Sequence, residues 1–210
     1  EYITKPLNLQ NTYLGRQIDP TKKESKSYKY VDSWQPQQET DISIPLGAGG
    51  IVSTPIDLVH FNEALFNGKL ITPQSLTMMT TINDNFGLGL FKIPFYDKIG
   101  FGHTGGIDAF SSTNSYFPDS KISFALTSNG SNYNNNNIAI AVLSAVYDKP
   151  FEVPVFSNYN VSSSELDQYV GLYSSKDIPL KITISKDNTT LIAQATGQPS
   201  FPLEATAKNI

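Results

Sequence analysis

The sequence predicts an α+β fold in which helices pack on an antiparallel sheet, followed by the start of an all-β, barrel-like module. Three observations carry this. Two helices open at Thr54-Pro55 and Thr72-Pro73, each with a hydroxyl cap and a proline at the first helical position. Four β-prone runs then follow one another too closely for the crossover that parallel strands require. Alternating runs joined by short turns return beyond residue 164.

Residues 1–45 read as long loops with short helical turns: an apolar knot at Pro6-Leu7-Asn8-Leu9, a lysine-rich stretch to Lys29, then Tyr28, Tyr30 and Trp34 among Gln and Pro. Gly47-Ala48-Gly49-Gly50 leads into the first clear helix. There Thr54 is the cap and Asp57 the acid three residues on. Leu58, Phe61 and Leu65, widened by Ile56, Val59 and Phe66, form its apolar stripe until Asn67-Gly68 ends it. The second helix carries Leu76 and Met79 inward. Strands are expected over Phe86 to Ile93, Ile99 to Thr104, Phe110 to Phe117 and Ile122 to Thr127, as an antiparallel meander. The small-residue run Ile138 to Val146 suits a helix lying flat on that sheet. Residues 148–164, with Pro150, Pro154 and Ser162-Ser163-Ser164, read as a linker. Tyr169 to Tyr173, Leu180 to Ser185, Thr189 to Ala195 and Phe201 to Glu204 then open the β module, which reads as incomplete at Ile210.

Composition narrows the function classes. With 39% hydrophobic and 16% charged residues the chain is too apolar for disorder, and no apolar run approaches the roughly 20 residues that span a bilayer. Fifteen Lys plus Arg against nineteen Asp plus Glu give a net charge of −4, so no basic face is available for nucleic acid. The absence of cysteine removes disulfides and thiolate chemistry, and two histidines, His60 and His103, are too few for an all-histidine zinc site. No metal or cofactor is expected. The first residues lack the blocks of a secretory signal.

Gly100-Phe101-Gly102-His103-Thr104-Gly105 matches the dinucleotide fingerprint letter for letter, yet Ala109 to Thr113 favours another strand where that fingerprint needs a helix. Its glycines read instead as relief of crowding where sheet backbone approaches something closely. Gly47 to Gly50 lacks the Lys-Ser/Thr ending of a phosphate loop. The sequons at Asn129, Asn160 and Asn188 are expected by chance in an asparagine-rich chain, and His60 reads as a surface or packing residue of its helix. His103 differs: it sits between glycines on a strand and is the one side chain of the β region that titrates near neutrality.

Five stretches in order resemble the serine hydrolase superfamily of class C β-lactamases, DD-peptidases and related esterases. They are Pro6 to Leu14, Ala48 to Leu58, Gly87-Leu88-Gly89-Leu90, Gly102-His103-Thr104-Gly105-Gly106, and Leu126-Thr127-Ser128-Asn129-Gly130. The resemblance covers roughly residues 1–147 and implies the C-terminal portion of a β-lactamase/transpeptidase-like domain. Leu166, Tyr169, Gly171 and Tyr173 are similar to the start of the lipocalin-like domain often appended to such enzymes, assigning 165–210 to a partial module.

That family acylates a serine and hydrolyses the acyl-enzyme, using Ser-x-x-Lys and Tyr-x-Asn. No Ser-x-x-Lys exists in these 210 residues, while Tyr133-Asn134-Asn135 and Ser112-Thr113-Asn114 follow the His-Thr-Gly strand and read as accidents of composition. By the resemblance, His103 faces the substrate's leaving or carboxylate side in place of the family's lysine. Thr104 offers a hydroxyl, Gly105 leaves room for a substrate backbone along the strand, and the N–H of Gly106 is an oxyanion donor. The expectation is therefore part of a penicillin-recognising serine hydrolase, silent alone, acting on an amide, β-lactam or ester; a non-catalytic module binding peptides or cell-wall fragments is the alternative. Its expected partners are a small-molecule or peptide substrate and the missing N-terminal half of the same domain, present as another chain or replaced by a swapped copy. The resemblance favours a bacterial, periplasmic or extracellular setting. Histidine in place of lysine tilts the chemistry toward peptidase or esterase, because a fixed charge suits a β-lactam carboxylate best.

Overall fold

In a computed structural model, residues 2–31, 33–153, 161–175, 180–197, 200–203 and 205 are described. The chain divides into two compact units, Glu1–Lys149 and Pro150–Ile210. Short elements dominate the first fifty residues, as their Pro- and Gly-punctuated sequence requires: α1 (Thr4–Leu7), β1 (Tyr13–Leu14), β2 (Tyr28–Tyr30), β3 (Trp34–Pro36), α2 (Leu46–Gly49) and β4 (Ile51–Val52). The β2–β3 hairpin closes with the Tyr30 and Trp34 rings edge to face at 5.2 Å. β1 pairs antiparallel with β4, Tyr13 opposite Val52 and Leu14 opposite Ile51.

Helix α3 (Pro55–Phe66) starts where its capping sequence dictates, with the Thr54 hydroxyl accepting from the Asp57 N–H at 3.3 Å. Asp57 does more than favour the helix dipole. Its carboxylate is only 6% exposed and accepts from the Asn11 N–H at 2.9 Å and the Thr12 hydroxyl at 2.8 Å. The Thr12 and Ser53 hydroxyls lie 2.9 Å apart. Two of the sequence motifs, Pro6 to Leu14 and Ala48 to Leu58, are thus one structural unit tied by a buried carboxylate. Helix α4 (Pro73–Thr80) is capped in the same way, by the Thr72 hydroxyl on the Ser75 N–H. Ile56, counted in the α3 stripe from its spacing, is instead 68% exposed; it lies in the first turn and faces away from the sheet.

The main sheet is a meander in sequence order, β5 (Phe91–Phe95), β6 (Lys98–Ile107), β7 (Phe110–Phe117) and β8 (Ile122–Ser128), antiparallel throughout. Pro94 is accommodated because β5 is an edge strand, where a missing N–H breaks no ladder. Side-chain alternation along β7 splits the core between two faces. Tyr116 faces α3, where Phe66 stacks on it at 4.6 Å and on Phe101 at 6.1 Å; burial there, with Glu63 nearby, raises the Tyr116 phenol above its ordinary pKa. Phe117, 1% exposed, faces α5 (Asn135–Val146) in a cluster with Phe95 and Leu143, flanked by Ile93, Ile122, Phe124 and Tyr147. The α5 helix begins at Asn135, earlier than its apolar run, because the Asn134 side chain caps the Asn136 N–H.

One strand differs from expectation. Of the run Phe86 to Ile93, only the part from Phe91 is strand. Asp84, Asn85 and Gly89 take φ of 49°, 72° and 69°, folding the stretch before β5 back on itself. Gly87 is wedged there so that a Cβ would come within 2.1 Å of the Met79 carbonyl at the end of α4.

In the second unit, Ser162 and Glu165 form a capping box that starts α6 (Ser163–Leu166), so the serines assigned to the linker open a helix. Four strands follow: β9 (Gly171–Ser174), β10 (Lys181–Asp187), β11 (Thr190–Ala195) and β12 (Phe201–Leu203), an antiparallel sheet of order β12-β11-β10-β9. Among the described residues it does not close into a barrel. Pro154 and Asn160 of the linker stretch, Glu204 and Ile210 lie outside the described residues. No helix among the described residues is long and apolar enough to cross a membrane.

Replacing Asp57 by Ala removes the carboxylate acceptor shared by the part-buried Asn11 N–H and Thr12 hydroxyl. We expect the first unit to lose about 3 kcal/mol of unfolding free energy in urea, with early amide exchange in β1 and β4.

Candidate active site

Strand β6 is ten residues long and β5 only five. Their register runs from Phe95 opposite Lys98 to Phe91 opposite Gly102, and there β5 begins. The chain before it turns away through the positive-φ residues, so among the described residues β6 from His103 onward has β7 on one side and no strand on the other. His103, Thr104, Gly105 and Gly106, the four residues singled out from sequence, are consecutive and exposed on this stretch.

Hairpin geometry fixes which backbone groups face the open side. Tyr96-Asp97 and Asp108-Ala109 are two-residue turns, the second with φ of 50° and 68°. The residues that close such a turn are a hydrogen-bonded pair. Ile107 is thereby bonded to Phe110, and by alternation Gly105, His103 and Phe101 also point their N–H and C=O at β7. Lys98, Gly100 and Gly102 point theirs at β5. The next two in that series, Thr104 and Gly106, direct theirs out of the uncovered edge. The Gly106 N–H is therefore placed as a donor to something outside the sheet.

The glycines of this strand separate into two kinds. A Cβ on Gly100 would stand 2.9 Å from the Phe117 ring, and one on Gly102 would stand 2.0 Å from the Asn114 carbonyl, so both are demanded by packing. Gly105 meets only the Ser112 hydroxyl at 2.9 Å, and Gly106 nothing nearer than 3.6 Å. Relief of crowding thus accounts for Gly100 and Gly102 and leaves Gly106 unexplained by packing.

Two side chains fasten the loop of residues 26–40 to this end of the sheet. Asp108, in the β6–β7 turn, accepts from the Thr40 N–H at 2.7 Å and the Thr40 hydroxyl at 2.6 Å, while its carbonyl accepts from the Ser27 hydroxyl. Asn129, just past β8, donates to the Lys26 carbonyl at 2.8 Å, and its own carbonyl accepts from the Tyr28 N–H at 2.8 Å. Gly130 then fits beneath Tyr28 and Trp34, with a cavity of about 300 Å³ lined by Tyr28, Trp34, Asn129 and Gly130. Asp108 and the Trp34 cavity were missed from sequence; a turn aspartate beside a Gly-rich strand was the available signal.

The other candidates have structural roles. Tyr133-Asn134-Asn135 supplies the cap of α5, with the Asn135 amide donating to the Ser111 hydroxyl at 2.7 Å, and Ser112-Thr113-Asn114 lies on β7 opposite Gly105, Thr104 and His103. His60 is exposed on α3. Among the described residues no group of three or more His, Cys, Asp or Glu is arranged to hold a metal.

The chain is similar to known proteins in sequence and in fold. The model of the beta-lactamase family matches residues 1–148. The D-amino acid amidase of Ochrobactrum anthropi SV3, solved with L-phenylalanine amide, is 24% identical with a TM-score of 0.62, over 70% of this chain and 49% of that one. A D-stereospecific amidohydrolase from Streptomyces sp. is 30% identical with a TM-score of 0.55, over 61% and 42%. The octameric penicillin-binding protein homologue of Pyrococcus abyssi is 20% identical with a TM-score of 0.59, over 98% and 50%. The chain spans about half the length of these structures or less. No curated protein matches it.

The two kinds of glycine are separable by mutation. Gly102→Ala is expected to cost at least about 2 kcal/mol of stability through overpacking against β7. Gly106→Ala should stay within about 1 kcal/mol of the parent, read by the same urea unfolding.

Proposed function

The chain belongs to the beta-lactamase family of penicillin-recognising serine hydrolases, and on that premise we propose that its open β6 edge is one wall of an acyl-transfer site. In this reading the Gly106 N–H is one of two oxyanion donors. Thr104 and His103 contact the substrate beside it, and Gly105 leaves space for a substrate backbone lying along the strand. The observation that carries the reading is the coincidence of the exposed His103 to Gly106 stretch with the uncovered part of β6, Gly106 having no packing reason to lack a side chain.

The reaction is acyl transfer to a serine followed by hydrolysis, on an amide or ester. Two of the similar structures are an amidase of D-amino acids and a D-stereospecific amidohydrolase, which supports a substrate with a D-configured residue next to the scissile bond. The nucleophile is not among these 210 residues, since no Ser-x-x-Lys occurs in them. Taken by themselves they bind without turning over, and that same absence favours the second reading, a module that only holds peptides or cell-wall fragments. The second unit reads as the beginning of a lipocalin-like appendage, supported by its meander of four strands.

Exposed to a fluorescent penicillin, the 210-residue chain is expected to take up no covalent label. Refolded with a family segment that carries Ser-x-x-Lys and Tyr-x-Asn, it is expected to hydrolyse D-phenylalanine amide. Gly106→Pro, which removes the outward N–H, should lower kcat in that mixture about 100- to 1000-fold, with Gly106→Ala as the folding control. Stoichiometric labelling of the chain alone, or unchanged turnover by Gly106→Pro, contradicts the proposal. A mixture that binds the amide without ever cleaving it favours the binding module.

A further inference from the structure

The imidazole of His103 lies against the backbone of the next residue, its Nδ1 at the Thr104 carbonyl oxygen. A carbonyl oxygen only accepts, so Nδ1 carries the proton, and in the neutral ring the lone pair is left on Nε2. The Thr104 carbonyl is one of the groups that face the uncovered edge, so the ring lies along that edge. Phe91 stacks on it, centroids 4.2 Å apart and planes 28° apart. Phe91 is where β5 begins, opposite Gly102 and so one position from His103 in the register. Phe86 in turn meets Phe91 edge to face at 5.3 Å, fixing the stack from behind through the turn that precedes β5. Rotating the imidazole to bring Nε2 to the carbonyl would break this stack.

We propose that Phe91 is a positioning residue that holds His103 as a hydrogen-bond acceptor, its bare Nε2 presented to the ligand. The recognised group is then a donor, an amide N–H or an amine, whereas a lysine at the same place recognises a carboxylate. A donor-bearing substrate is one such as a D-amino acid amide with its amino group free. The ligand step rests on the reading of β6 as a substrate wall; the held tautomer does not.

The chain has only two histidines, which makes the claim directly measurable. With nitrogen-15 in the imidazoles and His60→Gln for assignment, spectra of the 210-residue chain are recorded at about pH 8.5, well above the ordinary histidine range. The expected result is a protonated Nδ1 and an unprotonated Nε2 on His103. Phe91→Leu should move the tautomer ratio about fivefold toward the Nε2–H form, and Phe91→Tyr should restore it, with the amide spectrum showing that each variant is folded. A wild-type His103 protonated at Nε2, or a ratio indifferent to Phe91→Leu, overturns the positioning role. D-phenylalanine amide is expected to shift the Nε2 resonance and 3-phenylpropanoate, a carboxylate without an N–H donor, to leave it in place. The reverse order overturns donor recognition with the tautomer result intact. No shift with either probe overturns the reading of β6 itself.

Discussion

A ten-residue strand covered for only half its length on one side is the constraint from which the proposed site follows. An edge left open in a sheet is a row of unmet donors and acceptors, and it is usually blunted by charge, proline or a bulge. Here the covered half carries the proline, at Pro94 of β5, and the uncovered half carries none of these devices. It carries glycines and a threonine instead. The arrangement depends on the turn before β5: positive φ at Asp84, Asn85 and Gly89 starts the strand at Phe91 and no earlier. Had the chain continued extended from Phe86, β5 would have paired along His103 to Gly106 and closed the edge.

The irregular third of the first unit is held by side-chain bonds to backbone rather than by a core of its own. Asp57 ties the segment around Asn11 and Thr12 to the start of α3, and Asp108 ties the loop ending at Thr40 to the β6–β7 turn. Both are short acidic side chains placed where several donors converge, which lets a loop-rich region adopt one arrangement without much apolar burial. Four of the five family-like stretches are explained by such contacts. Gly87 sits against Met79, Asn129 holds Lys26 and Tyr28, and the first two stretches meet at Asp57. Gly102-His103-Thr104-Gly105-Gly106 is the stretch whose exposed residues have no such structural account, and on that the proposed site rests.

Much of the fold was legible because its elements are locally marked. Thr54-Pro55 and Thr72-Pro73 announce helices through capping chemistry, and the strand runs of the meander fall where alternation and close spacing place them. What was not legible depends on contacts between distant residues. The stretch Phe86 to Leu90 reads as strand from its apolar content, since Phe86, Leu88 and Leu90 alternate; only left-handed backbone at Asp84, Asn85 and Gly89 and the wedge against α4 make it a turn. The early start of α5 hides in polar asparagines that cap well and score poorly as helix. The proposed wall was picked out by residue type, His103 to Gly106, yet the property the structure adds, an edge that β5 leaves open, is a matter of register and has no local signature. The His103–Phe91 stack is likewise invisible in sequence, because twelve positions separate the two rings.

The proposed wall depends on the direction of the backbone groups along β6. Residue-resolved amide exchange of the folded 210-residue chain reads it directly. The account predicts an alternating pattern: Phe101, His103, Gly105 and Ile107 protected through their bonds to β7, Gly102 protected through β5, and Thr104 and Gly106 exchanging close to the rate of an open backbone. Protection of Thr104 and Gly106 equal to that of their neighbours would show the edge already occupied, and the wall proposed here would not exist.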